Sequence, residues 1–123
     1  MSPKEFNLLI DKTFIKIEEL SATKGSEYAA GSDRLENFKT NGLVFGVPPE
    51  SVCGIFMDKH YRAIQSFIRT GIVYSEPIEG RIDDCILYLL LLKGIIKDKE
   101  VAQRIADSQS DPFKNIKHQT SQE

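Results

Sequence analysis

The stretch from Ser75 to Lys99, SEPIEGRIDDCILYLLLLKGIIKDK, constrains the fold more than any other part of the chain. It opens polar and acidic and becomes almost wholly apolar between Cys85 and Ile96. Ile78, Ile82, Cys85, Leu89, Leu92 and Ile96 recur every three or four positions, which places them on one helical face. Leu90 and Leu91 fall on other faces, so the pattern predicts a helix over 76–98 that is buried nearly all round. Ser75 suits an N-cap, and Pro77 suits a first turn, where its missing N–H costs nothing.

The rest of the chain reads as cover for that helix. Phe6, Leu9, Ile10, Phe14, Ile17 and Leu20 share the spacing of one face, which predicts a helix over 4–23 that Gly25 interrupts. A polar stretch follows, in which Ser32 could cap a short helix over 33–39 that Asn41-Gly42 ends. Residues 43–49, LVFGVPP, read as a loop that carries apolar side chains back to the core, because two prolines exclude a regular central strand. A helix over 50–70 buries Val52, Cys53, Phe56, Met57, Tyr61, Ile64, Phe67 and Ile68 and ends at Gly71. A weaker helix is expected over 99–107, then a loose polar tail over 108–123. Ile72–Tyr74 is too short for a convincing strand. The expected fold is all-α: one domain over 1–107, a compact helical bundle of three long helices plus one or two short ones.

Composition narrows the function classes. With 16 Lys and Arg against 18 Asp and Glu, the chain lacks the concentrated basic surface a nucleic-acid polymer requires. The apolar run Cys85–Leu92 is far too short to span a bilayer, so no membrane partner is expected. Residues 1–12 carry charge inside what would be an apolar segment, which argues against a signal peptide. Cys53 and Cys85 sit in apolar helical patterns and read as buried thiols in a reducing compartment, with no zinc-type spacing.

Three clusters carry candidate chemistry. Glu76, Glu79 and Asp83 sit at i, i+3 and i+7 at the entrance of the central helix, with Asp84 pointing another way, one turn below Tyr88. Carboxylates one turn apart can present oxygens to Mg²⁺ or Mn²⁺; an acidic, solvated first turn with Arg81 paired locally is the plainer alternative. Lys24, Glu27, Tyr28, Asp33, Arg34, Asn37 and Phe38 form a loop-like set suited to wrapping a polar ligand. Lys24 and Arg34 would take phosphates, Asn37 a base or sugar, and Tyr28 or Phe38 would stack, unless the aromatics merely anchor the loop. Asp58, Lys59 and His60, with Arg62 beyond, make the third cluster: His60 follows Phe56 and precedes Ile64 by one turn each, so it faces or borders the core.

The order of these pieces resembles a known family. Lys24-x-x-Glu27-Tyr28, then Asp33-x-x-x-Asn37-Phe38, then Lys59-His60 on a helix starting at proline, then Glu79, Arg81, Asp84 and Tyr88 before a Leu-rich run are similar to small phage and prophage proteins. These belong to the MazG-like, all-α nucleotide pyrophosphohydrolase group, and the resemblance spans roughly residues 4–97. It implies hydrolysis of a (deoxy)nucleoside triphosphate to monophosphate and pyrophosphate with Mg²⁺ or Mn²⁺, in a bacterial cytosol, by a homodimer or homotetramer. Carried over residue by residue, Glu79 and Asp84 are the catalytic carboxylates and, with Asp83, the metal side. Lys24, Glu27, Tyr28, Asp33, Arg34, Asn37, Lys59 and His60 are the substrate side.

The chain departs from that family where its group has Glu-Glu-x-x-Glu, because Glu18-Glu19 is followed by Leu20, Ser21 and Ala22. Glu79 and Asp83 are four apart rather than three, Gly80 stands where related phage sequences often have Asp, and Leu87 stands for a frequent Asn. Two alternatives therefore stay open: a nucleotide-binding or sequestering protein without turnover, and a helical phage factor that binds another protein through residues 24–46.

Overall fold

The computed structural model describes residues 1–28, 33–73 and 75–109, except the side chains of 26–28. Four helices run in order: α1 (Pro3–Tyr28), α2 (Glu36–Phe45), α3 (Pro49–Thr70) and α4 (Ile78–Gln109). Among the described residues there is no strand, and the fold is an all-α bundle. The pairing of α3 with α4 is the most extensive; α2 packs on α3, and α1 lies on α4.

The bounds of α3 follow from its sequence. Pro49 takes the first turn, and Gly71 closes the helix at φ 71°, its N–H donating to the Phe67 carbonyl. Two other glycines behave differently from the expectation. Gly25 does not end α1, which runs on to Tyr28; a Cβ there would lie 3.1 Å from Arg34 Nε, so the Arg34 side chain would have to give by a few tenths of an ångström. Gly42 does not end α2 either. A Cβ there would lie 2.6 Å from the Val47 carbonyl, so glycine lets the chain fold back against the helix, which ends instead at Gly46 with φ 68°. Leu43, Val44 and Phe45 are therefore helical, and they are exposed rather than returned to the core.

The core draws on all four helices: Ile17, Leu35, Phe38, Val52, Cys53, Leu87, Leu91 and Ile95. Leu35 precedes α2, and the methyls of its side chain rest against Gly94 of α4. Cys53 Sγ donates to the Tyr88 carbonyl at 3.4 Å, and both cysteines are free and buried, with burial pushing each thiol pKa up.

α4 differs from its expectation in extent and in orientation. It starts at Ile78, just after Pro77, and continues unbroken through the segment expected as a separate helix over 99–107. Ser75 and Glu76 lie outside it and serve Arg81 instead of capping. Arg81, Cys85, Leu87, Leu91 and Ile95 are buried, while Ile82, Leu89, Leu90 and Ile96 are 40–53% exposed, so the helix is not enclosed all round. On α1 only Ile17 of the expected face is buried; Phe6, Leu9, Ile10 and Phe14 remain open. On α3, Phe56, Tyr61 and Ile68 are exposed although their spacing put them inside. No described helix is long and apolar enough to cross a membrane. Most of the tail expected from residue 108, its residues 110–123, lies outside the described residues.

Candidate functional site

A cavity of about 270 Å³ opens where the end of α1, the start of α2, and the middles of α3 and α4 meet. Its walls are Lys24, Arg34, Asn37, Phe38, Phe56, Leu87, Tyr88 and Leu91. Four of these, Lys24, Arg34, Asn37 and Phe38, belong to the set singled out in the sequence. They converge because α1 extends past Gly25, bringing Lys24 down onto α4, while Gly25 leaves room for Arg34 to lie against α1.

Lys24 Nζ sits 3.1 Å from Asp84 Oδ1 and 5.6 Å from the centre of the Tyr88 ring. The cation thus has a carboxylate and a π face, both partly screened from water. On the other side of Asp84 is His60, whose ring stacks on Tyr88 with centroids 5.7 Å apart. His60 Nδ1 lies 3.5 Å from Asp84 Oδ2 and 3.1 Å from Arg81 Nη1. A guanidinium can only donate, so Nδ1 accepts from Arg81 and the ring proton resides on Nε2. His60 is then uncharged, in accord with the burial that lowers its pKa and outweighs the opposing charge of Asp84. The approach to Asp84 is accordingly a contact and not an ion pair.

Arg81 is the one buried charged residue of the described chain, and it is held on three sides. It reaches His60 Nδ1, donates from Nη2 to Ser75 Oγ at 3.1 Å, and places Nε 3.4 Å from the Glu76 carboxylate. A buried cation is tolerated only with such a complement. Arg81 pairs locally with an acid, as the plainer reading of the helix entrance supposed. Its place in this network was legible in one respect: it precedes Cys85 by one turn and Tyr88 by two, on the stripe that packs.

The remaining candidates are distributed as follows. Asp33 closes the turn before α2: Oδ1 accepts from the Leu35 N–H at 2.9 Å and Oδ2 from Lys39 Nζ at 2.7 Å. Lys39 bridges on to Asp98 of α4, and its hydrogen bond holds the Asp33 carboxyl below its ordinary pKa. Asp33 thereby pins α2 and does not line the cavity. Lys59 is exposed on α3 and is also not among the cavity walls. The side chains of Glu27 and Tyr28 lie outside the described residues, although their backbone forms the last turn of α1. Glu79 and Asp83 open onto a second, wider groove of about 690 Å³ between α1 and α4, lined by Phe6, Ile10, Phe14, Ile82 and Ile86 among others. There burial, reinforced by the charge of Glu79, raises the Asp83 pKa against the opposing pull of Lys16. The carboxylates of the helix entrance are thus divided, and Asp84 alone of Glu79, Asp83 and Asp84 meets Lys24 and His60.

Among the described residues, no three His, Cys, Asp or Glu side chains gather as a ready-made metal site. Mg²⁺ is commonly held by one or two carboxylates together with phosphate oxygens of the ligand; Asp84, paired with Lys24 of the cavity wall, is the carboxylate that would take that role. Glu79 and Asp83 do not fit it there. Aromatic and apolar walls, namely Phe56, Leu87, Tyr88 and Leu91, complete the site; the sequence read Phe56 and Leu91 as buried, Tyr88 as part of the family motif and Leu87 as a departure from it. Comparison of the chain with protein-family models, curated proteins and solved structures gives no match.

Proposed function

We propose that this cavity binds a (deoxy)nucleoside triphosphate, and that the protein hydrolyses it to monophosphate and pyrophosphate with Mg²⁺ or Mn²⁺. The supporting observation is the convergence on one cavity of two cations, Lys24 and Arg34, an amide, Asn37, and aromatic faces, with the carboxylate of Asp84 bonded to Lys24 behind that wall. Lys24 and Arg34 neutralise phosphate oxygens, and Arg34 has a particular reason to: its buried Nε has no hydrogen-bond partner among the described residues. When Lys24 turns toward phosphate, it frees an Asp84 oxygen for the cation. Asp84 would hold the cation there, and its chemistry would be polarisation of the phosphoryl oxygens. His60, stacked on Tyr88 behind the cavity wall, packs beside Asp84.

The test is incubation with a pool of ribo- and deoxynucleoside triphosphates plus Mg²⁺ or Mn²⁺, with the products resolved. Monophosphate and pyrophosphate that vanish with EDTA are the expected result. A nucleotide that raises the melting temperature without turnover supports a sequestering protein instead.

The same reading includes a bacterial cytosol and a homodimer or homotetramer; the open apolar faces of α1 and α4 support the assembly alone. Light scattering of the purified chain tests this, and a monomer at micromolar concentration would exclude it. A second reading, an interaction protein that docks through residues 24–46, is favoured by the exposed Leu43, Val44 and Phe45. It becomes the better one if no nucleotide binds.

A further inference from the structure

The orientation of one amide in the cavity carries information about the base. Asn41 Nδ2 lies 2.8 Å from the backbone carbonyl oxygen of Asn37 and 2.8 Å from Asn37 Oδ1. A backbone carbonyl can only accept, so the Asn41 atom facing it must be the NH₂ group. That group carries two hydrogens, and one of them serves each oxygen. The Asn37 side-chain atom facing Asn41 must in turn be an acceptor, because the flipped amide would set two NH₂ groups against each other. The usual ambiguity between amide nitrogen and oxygen is thus removed at both residues by a main-chain atom. Asn37 Nδ2 is left over, and it donates to no described residue. Toward anything entering the cavity, Asn37 has an NH₂ group free to donate, while its Oδ1 is already engaged by Asn41.

The surroundings of this donor are those of an aromatic and apolar wall. Asn37 immediately precedes Phe38, whose ring centre is 6.1 Å from that of the half-open Phe56, and Leu87 and Leu91 extend the same apolar wall. The cations that suit phosphates are Lys24 and Arg34. Bases differ in the group they show at this edge: guanine O6 and thymine or uracil O4 accept, whereas adenine N6 and cytosine N4 donate.

We propose that Asn37, its amide fixed by Asn41, makes the cavity select nucleotides whose base carries a keto oxygen over those carrying an exocyclic amine. This rests on the nucleotide-binding reading above. A satisfied hydrogen bond against two opposed donors corresponds to about tenfold in affinity.

The experiment is calorimetric titration of the full chain, in Mg²⁺, with the α,β-imido analogues of dTTP, dCTP, dGTP and dATP, which cannot be cleaved at that linkage. The expected order is thymine over cytosine and guanine over adenine, each by about tenfold. Asn37→Asp keeps an oxygen for Asn41 and turns an acceptor toward the ligand, so it should reverse both orders, whatever its added charge does to all four alike. Asn41→Ala frees the amide to flip and should bring both ratios close to one. Equal affinities in the wild type, a preference for the amines, or ratios unmoved by Asn37→Asp overturn the proposal. So does an Asn37→Ala variant that weakens all four equally, which would mark a sugar or phosphate contact. If none of the four binds, the nucleotide reading itself has failed and takes the base preference with it.

Discussion

Where α4 meets α3 and the C-terminal end of α1, its buried polar groups are met one by one; where it faces the earlier part of α1, large apolar side chains meet little besides each other across an open groove. On the first side Arg81 is shared among His60, Ser75 and Glu76, Asp84 faces Lys24 and His60, and the Tyr88 carbonyl accepts from Cys53. On the second, Phe6, Leu9, Phe14 and Ile82 stand at 40–52% exposure. Hydrogen bonds are directional and expensive to leave unmade, so the first side fixes positions to fractions of an ångström. Apolar burial has no direction, so the second side offers area without a register of its own. The contrast locates where chemistry can be held and where assembly can occur.

Five measurements would break or sharpen that contrast. The largest effect is expected from Asp84→Ala, which should lower metal-dependent turnover on the order of 10²-fold or more while circular dichroism stays unchanged. Unaltered turnover would remove Asp84 from the site. Arg81→Met leaves His60, Ser75 and Glu76 without their shared donor and should cost about 3 kcal/mol in urea unfolding; a loss below about 1 kcal/mol would mean the network fixes little. Lys24→Ala should weaken nucleotide binding by about tenfold with helicity intact. Phe14→Glu, on the open side, should change chain stability by less than about 1 kcal/mol yet lower the mass seen by light scattering. An unchanged mass would place any assembly surface elsewhere. The smallest effect concerns pH. Burial lowers the His60 pKa in the fold, so the unfolded chain binds the proton more readily. The stabilisation is full above about pH 6.5 and is lost as pH falls from there toward the folded pKa. The melting temperature should therefore drop across that window, and drop less in His60→Gln.

How far the sequence led depended on what each residue was asked to signify. Pro49 and Gly71 bound α3 because each acts through its own backbone, which is a local property. Gly25 and Gly42 misled for the complementary reason: the Val47 carbonyl requires glycine at 42, the Arg34 side chain lies close over Gly25, and both approaches are tertiary. The face of α4 was misassigned because Ile82, Leu89 and Ile96 are more apolar than the stripe that packs. That stripe carries Arg81 and Tyr88, whose polar atoms become acceptable only through partners on other elements. Within the site, Lys24, Arg34, Asn37 and Phe38 were found by residue type and order. Phe56, Leu87 and Leu91 were not, since a wall of a cavity and a piece of core have the same spacing. The division of Asp84 from Glu79 and Asp83 was half legible, in the turn of the helix that separates position 84 from position 83.

The length of α4 has a further consequence. Its 32 residues extend about 48 Å, and from Glu100 to Gln109 every residue is exposed, beyond the bond of Lys99 to Glu50 of α3. Amide exchange should therefore be graded along a single helix, fast after Lys99 and slowest around Leu87 and Leu91. Trypsin should trim the free arm at Lys99 and Arg104 well before it reaches the core, leaving a protected fragment whose end marks where cooperative structure stops.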